Sequence, residues 1–473
     1  MIEDNLLEEA IEYGIKKSAR YIDIRHEENS SMRVGAEDGE PRECAIGTEA
    51  GFGIRALVDG GWGFAAFSFS KKNMREELLE NVEMAVKLAK AKSAKVELEG
   101  IPSHQGFYKT KVQIDPEVVP IESKIDICTE ASKRMKENGG IAKSYASIGD
   151  LKVDKTFFSS EGARIHQKLV FSYVGLTAIA KNNGETDYFD WSEGKQAGYE
   201  VVRDWDPISQ SDGIAEKAIE LVGAKNCLEE ETTVILDPDL LALVVHEIVG
   251  HPSEADRVLG TEAAWAGKAW WNEKVGERIG SELVNVVSDA SLEGYFGSFK
   301  WDDEGTPAQR IEHLKQGVLT DYFHNRETAK AFGKKPNGAM RASSYQFAPL
   351  LRMTNTYLEK GDAKKEEIFE ETTKGVYLVG QKVPSIDSRR FNFQISAKIA
   401  YRIKNGEITE PLRGASMTGT SPGWWSSIDL VGNDLDIRPI PNCGKGDPMQ
   451  TIMVGNGGPH VRGRCRVVGS RKE

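Results

Sequence analysis

The chain has 473 residues, a formal net charge of −12 at pH 7, and 28% charged residues. This length suffices for two or three domains, and the acidic balance argues against a nucleic-acid-binding surface. Five scattered cysteines without a CxxC pair favour a reducing compartment over a disulfide framework. The N-terminus lacks the apolar core of a signal peptide, and no apolar run approaches membrane-spanning length. We therefore expect a soluble, cytoplasmic protein with no nucleic-acid or membrane partner.

The N-terminal half is predicted to combine helices with β-hairpins. Apolar residues recur at helical spacing over 6–18, 73–92, 121–136 and 214–222. Asn73 and Glu76 have the spacing of a capping box at the start of the second helix. Two apolar-rich runs on either side of Asp59-Gly60-Gly61 predict a hairpin. Helices followed by runs of hairpins favour the α+β class over a doubly wound sheet.

A polar, acidic stretch over 224–231 predicts a domain boundary. We divide the chain into an N-terminal α+β domain, residues 1–225, and a C-terminal domain, residues 226–473, built mostly of short strands and turns. The acidic cluster 302–304 in the second domain has the chemistry to bind a divalent metal. We expect a solvated loop instead, because charged side chains are mostly exposed.

One helix of the C-terminal domain is predicted to be buried. Asp237 is a suitable N-cap and Pro238 suits the first helical position, so a helix should begin here. Residues 240–245 are apolar almost all round, which predicts burial. The far end carries His246-Glu247-Ile248-Val249-Gly250-His251. Two imidazoles and a carboxylate are costly to bury without partners, so this end of the helix indicates a chemical site.

The two histidines are five residues apart, which a regular helix would separate by roughly 140°. A regular helix would therefore not direct His246 and His251 to one metal ion. Gly250 and Pro252 flank the second histidine, and proline disfavours helical backbone in the preceding residue. We therefore expect His251 to leave the helix in an extended conformation and turn back toward His246, with Glu247 beside the metal as general base. A satisfied polar patch at a helix end is the alternative.

A zinc site needs a third protein ligand, which the motif does not supply. The candidates are Glu254, Asp256, His313, His324, Cys443 and His460. The motif alone does not choose among them. Cys443 lies among turn-forming residues and glycines, with Lys445 two positions on. A nearby positive charge favours the thiolate, the metal-binding form of cysteine, so Cys443 differs from an ordinary buried structural cysteine.

Several motifs follow one another along the chain: Gly51-x-Gly53-x-Arg55 with Trp62-Gly63-Phe64, His246-Glu247-x-x-x-His251, Asp302-Asp303-Glu304-Gly305-Thr306-Pro307, Arg352-Met353-Thr354-Asn355-Thr356-Tyr357, Val431-Gly432-Asn433-Asp434-Leu435 and Cys443-Gly444-Lys445. Together they resemble the TldD branch of the TldD/PmbA family, metal-dependent peptidases once described as modulators of DNA gyrase. The resemblance implies a two-part α+β subunit that pairs into a dimer around an internal cavity. In that family, TldD-like subunits carry the His-Glu-x-x-x-His motif, and PmbA-like (TldE) partners lack it.

The resemblance also implies the roles of the site residues. His246, His251 and Cys443 would be the metal ligands and Glu247 the general base. This ligand set suits Zn2+, with iron as the alternative. Pro252 stands where the family pattern leads us to expect glycine. The expected function is trimming of unfolded or extended peptides, including removal of leader segments, together with a PmbA/TldE-like paralogue.

Two other functions remain open at the level of sequence. One is a non-catalytic regulatory or interaction subunit with a structural metal site, against which the intact Glu247 argues. The other is a metal-dependent hydrolase of small amides. The sequence does not predict which residues contact the substrate.

Overall fold

The computed structural model describes residues 4–69, 73–92, 94–262 and 267–469. It confirms the α+β class. The elements of the N-terminal half are α1 (Asp4–Lys16), β1 (Tyr21–Glu37), β2 (Glu40–Val58), β3 (Gly61–Phe67), α2 (Met74–Lys90), β4 (Gln105–Lys109), a 3-10 turn (Pro116–Val118), α3 (Ile121–Glu137), β5 (Ile141–Ser159), β6 (Arg164–Asn182), β7 (Glu185–Lys195), α4 (Glu200–Trp205) and α5 (Pro207–Gly223). Their strands form a sheet in the order β3-β2-β1-β5-β6-β4, with β7 also paired to β6.

Long antiparallel hairpins dominate this sheet. The predicted hairpin at Asp59-Gly60 is confirmed as the β2–β3 turn, and both residues have positive φ. Asp38-Gly39 makes a similar turn between β1 and β2. Asp-Gly pairs suit such turns because both central residues adopt left-handed backbone. The capping box at α2 is wrong, since the Asn73 side chain makes no cap hydrogen bond.

The C-terminal half contains β8 (Lys225–Asn226), β9 (Glu230–Leu236), α6 (Pro238–Val245), a π turn (His246–Gly250), a 3-10 turn (His251–Ser253), α7 (Ala255–Leu259), β10 (Val286–Asp289), β11 (Arg310–Lys315), β12 (Val318–Leu319), α8 (Arg326–Phe332), β13 (Met340–Arg341), β14 (Leu350–Leu351), β15 (Asn355–Leu358), α9 (Lys365–Glu370), β16 (Lys374–Ile386), β17 (Asn392–Lys404), β18 (Glu407–Arg413), β19 (Ser416–Thr420), α10 (Ser421–Ser427), β20 (Leu430–Val431), β21 (Asp436–Lys445), β22 (Gln450–Gly458) and β23 (Val461–Val468). The predicted domain boundary falls on β8, which pairs with β18. The division at 225/226 stays a prediction.

Helix α6 is buried because it lies between two sheets. On one side, β16-β9-β23-β19-β17 form a closed ring, in which β16 also pairs with β17. On the other side is the sheet β12-β11-β10-β15-β22-β21. The helix contacts β16 of the first sheet and β21 and β22 of the second. A helix with apolar neighbours on both sides needs apolar residues all round, as its sequence predicted.

The acidic cluster 302–304 is buried where the two halves meet, so the prediction of a solvated loop is wrong. Arg55 of β2 lies 3.3 Å from Glu304, and Lys155 of β5 lies 2.8 Å from Asp303. Local sequence did not reveal these cations because they come from distant strands. The acidic cluster therefore ties the N-terminal sheet to the C-terminal half. Among the described residues, no helix is long and apolar enough to cross a membrane.

Arg55→Met is expected to destabilise the protein strongly. The guanidinium contacts both Asp23 and Glu304 in a buried setting, and removing it leaves two buried carboxylates without that cation. The free energy of unfolding should fall by about 3–5 kcal/mol in urea titrations. Arg466→Met is the matched control, since Arg466 pairs with Glu229 at an exposed position and should cost at most about 1 kcal/mol. Equal losses in the two variants would contradict the structural role of Arg55.

Candidate metal site

The helix that carries the site begins as its sequence predicted. The Asp237 carboxylate accepts a hydrogen bond of 2.8 Å from the backbone N–H of Leu240, and Pro238 occupies the first turn. Every residue of α6 after Pro238 is buried. The α-helix ends at Val245, where the chain continues directly into the π turn. The helix thereby delivers the polar end of the motif into the protein interior.

The π turn explains how histidines five residues apart share a face. The backbone N–H of His251 donates to the carbonyl of His246, closing a turn one residue longer than an α turn. His251 therefore follows His246 by about one turn, and the ring centroids lie 4.7 Å apart. The predicted extended conformation of His251 is wrong, because its φ and ψ are −60° and −44°. The bias before proline is a preference, which burial of the turn overrides here.

Gly250 is required by close packing. A Cβ at this position would lie 1.9 Å from Sδ of Met353, in the segment between β14 and β15. The glycine thus allows the π turn to pack against that segment, instead of breaking the helix as the sequence suggested.

Cys443 reaches the histidines from β21. The β21–β22 register shifts between Ile440 and Cys443, so the cysteine follows a bulge in the strand and lies in the interior. Bulges commonly re-aim side chains next to active sites. Its Sγ lies 3.9 Å from Nε2 of His251. The possible ligand atoms of His246, His251 and Cys443 all lie within 4.8 Å of one another.

The other candidate third ligands have different partners. Glu254 lies behind His251. Its carboxylate accepts a hydrogen bond from Nδ1, the ring nitrogen of His251 that faces away from Cys443. The remaining contacts are Asp256 with Lys445, His313 with Ser288 and the carbonyl of Asp321, His324 with Asp321, and His460 with Asp434 and Tyr377.

Hydrogen bonds fix both histidine rings. Nδ1 of His246 lies 3.0 Å from Oδ1 of Asn456, and Nδ1 of His251 lies 3.2 Å from Oε2 of Glu254. An acceptor at Nδ1 sets the tautomer in which Nε2 is the ligand atom. Two such imidazoles and a thiolate are a donor set that zinc prefers. The residues present therefore fit a catalytic metal.

The thiol of Cys443 differs from the other buried thiols. Burial alone would raise its pKa, but the charges of His246 and His251 and their hydrogen bonds lower that pKa well below the ordinary value. Burial opposes the charged form of His246, yet contact with Cys443 raises its pKa to about 9. By contrast, burial raises the pKa of Cys128 and Cys465 to about 12. The cluster favours a thiolate at Cys443.

The source of the positive charge differs from the prediction. Nζ of Lys445 lies 3.2 Å from Glu254 and 2.8 Å from Asp256, so this lysine neutralises acids behind the site. The two histidines supply the charge that Cys443 experiences. Cys443 is itself buried and lies within strand β21, not at the turn that its neighbours suggested.

Sequence reasoning missed the cations around the motif. Arg390, in the loop between β16 and β17, donates to the Glu247 carboxylate. Burial would raise the pKa of Glu247, but the charge of Arg390 and then those of the histidines lower it. Arg257 donates to Glu254 over 2.7 Å. An arginine in a polar turn carries no local signal of such a contact, which depends on the tertiary structure.

Comparisons with known proteins agree with this architecture. Family models match as PmbA/TldA metallopeptidase domain 1 over residues 22–91, central domain over 114–225 and C-terminal domain over 229–469. The chain is 33% identical to a metalloprotease of Methanocaldococcus jannaschii, covering 93% of this chain and 95% of that protein. It is 27% identical to the zinc metalloprotease TldD homolog of Saccharolobus solfataricus, over 95% and 97% of the two chains.

The fold is also known from solved structures. TldE from Thermococcus kodakarensis superposes with a TM-score of 0.79 at 17% identity, over 98% of this chain and 100% of that one. The chain belongs to the PmbA/TldD metallopeptidase family, as its motifs predicted. It is a metallopeptidase, which argues against the non-catalytic alternative.

Gly250→Ala is expected to disturb the π turn. The added methyl group overlaps Met353, and overpacking of this kind costs about 1–3 kcal/mol of unfolding free energy. The metal content should also fall. Adding Met353→Ala to the Gly250→Ala variant should restore part of the stability and part of the metal content. Gly213→Ala, at an exposed position of α5 with no atom in the way, should be neutral or stabilising. An unchanged urea midpoint for Gly250→Ala would contradict the close approach.

Cys443→Ala is expected to lower metal occupancy and abolish cleavage, whereas alanine at each of the other four cysteines should do neither. The metal-free protein should show thiolate absorbance at mildly acidic pH that disappears in the Cys443 variant. Cys465→Ala is the matched control, because that thiol is buried and its pKa is raised. Full metal content in Cys443→Ala, measured by elemental analysis, would remove Cys443 as a ligand.

Proposed function

We propose that this metallopeptidase holds Zn2+ through His246, His251 and Cys443 and cleaves unfolded or extended peptides with Glu247 as general base. The observation that carries the proposal is the convergence of the three ligand atoms within 4.8 Å, with a carboxylate on the residue next to His246. The zinc metalloprotease name of the Saccharolobus solfataricus relative supports the choice of metal. Iron is the alternative that elemental analysis decides.

When bound, Zn2+ supplies Lewis acidity toward the scissile carbonyl and toward a water molecule. Glu247 accepts the proton from that water as it attacks, and then delivers the proton to the leaving amine nitrogen. A lowered pKa keeps this carboxylate ionised at neutral pH, the form that can accept a proton. Asn456 and Glu254 hold the two imidazoles in the tautomer that the site needs.

The sheet around Cys443 supports an extended peptide as the substrate. Strand β21 stands at the end of its sheet, and in the described part of the chain its pairing within that sheet is to β22 alone. An extended peptide can add to such an edge through main-chain hydrogen bonds, which tolerate many sequences. This edge carries Cys443, so a peptide held there would run past the ligand cluster. Folded proteins do not offer a free strand, which accounts for selection of unfolded substrates.

We also propose that the protein is a dimer and that full activity requires a TldE-like partner without the metal motif. The shared fold with TldE of Thermococcus kodakarensis supports pairing of two similarly built subunits. Such a partner would complete a chamber around the site and contribute no metal ligand.

Glu247→Gln tests the catalytic role. The amide cannot accept the proton, so cleavage of an unfolded model peptide should fall by roughly 10²- to 10⁴-fold. Metal content should stay near wild type, while the urea midpoint should fall because buried Arg390 loses this anionic partner. Glu282→Gln, at an exposed position, is the control and should cleave normally. Wild-type cleavage by Glu247→Gln would remove this residue from the mechanism, and cleavage of small amides but not peptides would identify a different substrate class.

Assembly is tested by measuring mass in solution with and without a TldE-like subunit from the same cell. We expect a dimer, and peptide cleavage that rises when the second subunit is added. A chain that stays monomeric at micromolar concentration and still cleaves peptides efficiently would contradict both parts of this prediction.

A further inference from the structure

The loop between β16 and β17 brings a buried cation to Glu247. Nη1 of Arg390 donates to Oε2 of Glu247, and the two side chains are 9% and 11% exposed. Arg389, the preceding residue, is exposed. Burying an ion pair removes two charges from water, so such a pair is retained only where its geometry is good. The contact therefore differs from the many ion pairs on the surface.

The backbone of the loop fixes the direction of Arg390. Its φ is +63°, a left-handed conformation that non-glycine residues rarely adopt. Its N–H donates to the carbonyl of Asp387 over 2.9 Å, and its own carbonyl accepts from Oγ of Ser421 over 2.7 Å. The Asp387 carboxylate also accepts from the N–H of Phe391 over 3.0 Å. Strained conformations that several contacts hold in place concentrate at functional sites.

The two acids beside the ligand cluster are held differently. Glu254 accepts from His251 and from Arg257, so it orients a metal ligand. Glu247 is bonded to Arg390, from a loop that provides no metal ligand. A carboxylate has two oxygens, so a carboxylate that accepts from a guanidinium on one oxygen can exchange a proton through the other. This arrangement suits an acid that must be oriented and yet remain available.

We propose that Arg390 is a positioning residue for peptide cleavage: it holds Oε2 of Glu247 and so orients Oε1 for proton transfer. The inference rests on the proposed role of Glu247 as general base. Without Arg390 the carboxylate rotates, and the orientation that accepts the proton is less populated. We expect the effect on kcat, because the contact that carries the proposal is with the general base and not with a metal ligand.

The experiment compares Arg390→Met, Arg390→Lys and Arg390→Gly in the full metal-loaded chain, with the partner subunit where activity needs it. In Arg390→Met, kcat for an unfolded peptide should fall roughly 10- to 100-fold, a loss of the size found for residues that orient metal ligands, with KM and metal content unchanged. Arg390→Lys keeps a charge and should retain part of the activity. Arg390→Gly suits the left-handed backbone and should recover activity when guanidinium ion is added. Arg389→Met, the neighbouring exposed arginine, should match wild type.

Action through Glu247 is tested with the double variant. Glu247→Gln with Arg390→Met should cleave no more slowly than Glu247→Gln alone, because the oriented group is already lost. The double variant should also lose less stability than the sum of the losses in the two single variants. This is measured from urea midpoints of the metal-free proteins. If the double variant instead lost kcat by the product of the two single-variant factors, Arg390 would act independently of Glu247. This result would overturn the proposal.

Two further outcomes separate this proposal from the function on which it rests. Wild-type kcat in Arg390→Met together with an inactive Glu247→Gln overturns the role of Arg390 and leaves the role of Glu247 intact. Wild-type activity in Glu247→Gln overturns the proposed function itself. Loss of metal from Arg390→Met or from the milder Arg390→Lys would also overturn the proposal, since it would show that Arg390 supports the ligands.

Discussion

Burial of the His-Glu-x-x-x-His segment between two sheets is the constraint on which the rest of the site depends. Groups that can carry charge are costly in such an interior unless each has a partner. The structure supplies those partners from distant parts of the chain: Asn456 to His246, Glu254 to His251 and Arg390 to Glu247. These contacts also orient the side chains, as the proposed metal binding and proton transfer would require.

Charges of opposite sign alternate through this region. Cys443 lies against the two histidines, and their charges lower the pKa of its thiol although burial opposes this. Behind them, Glu254 is surrounded by His251, Arg257 and Lys445. An acid placed between cations stays ionised in the interior, and each cation is in turn neutralised. A metal cation would bring positive charge beside the thiolate, so metal binding suits a site in which a buried thiolate is already favoured.

The same rule governs the contact between the two halves of the molecule. The buried acids of 302–304 receive Arg55 and Lys155 from the N-terminal sheet. Neither half could bury its own charges alone without a large cost in free energy. This contact relates the long hairpins of the N-terminal sheet to the sheet that carries Cys443, and thus places one half of the chain beside the catalytic half.

The sequence by itself determined the α+β class, the buried helix that begins at Asp237 and the family, because turn chemistry, apolar spacing and ordered motifs are local features. It also singled out Cys443, from its neighbours and from the family pattern. The tertiary structure alone decided the conformation at His251, where packing of Gly250 on Met353 accompanies a π turn that proline statistics did not predict. It also decided which cations face which acids, as at Arg390 and Glu247. The residues of such a pair are far apart in sequence, so their charges come into contact only in the folded chain.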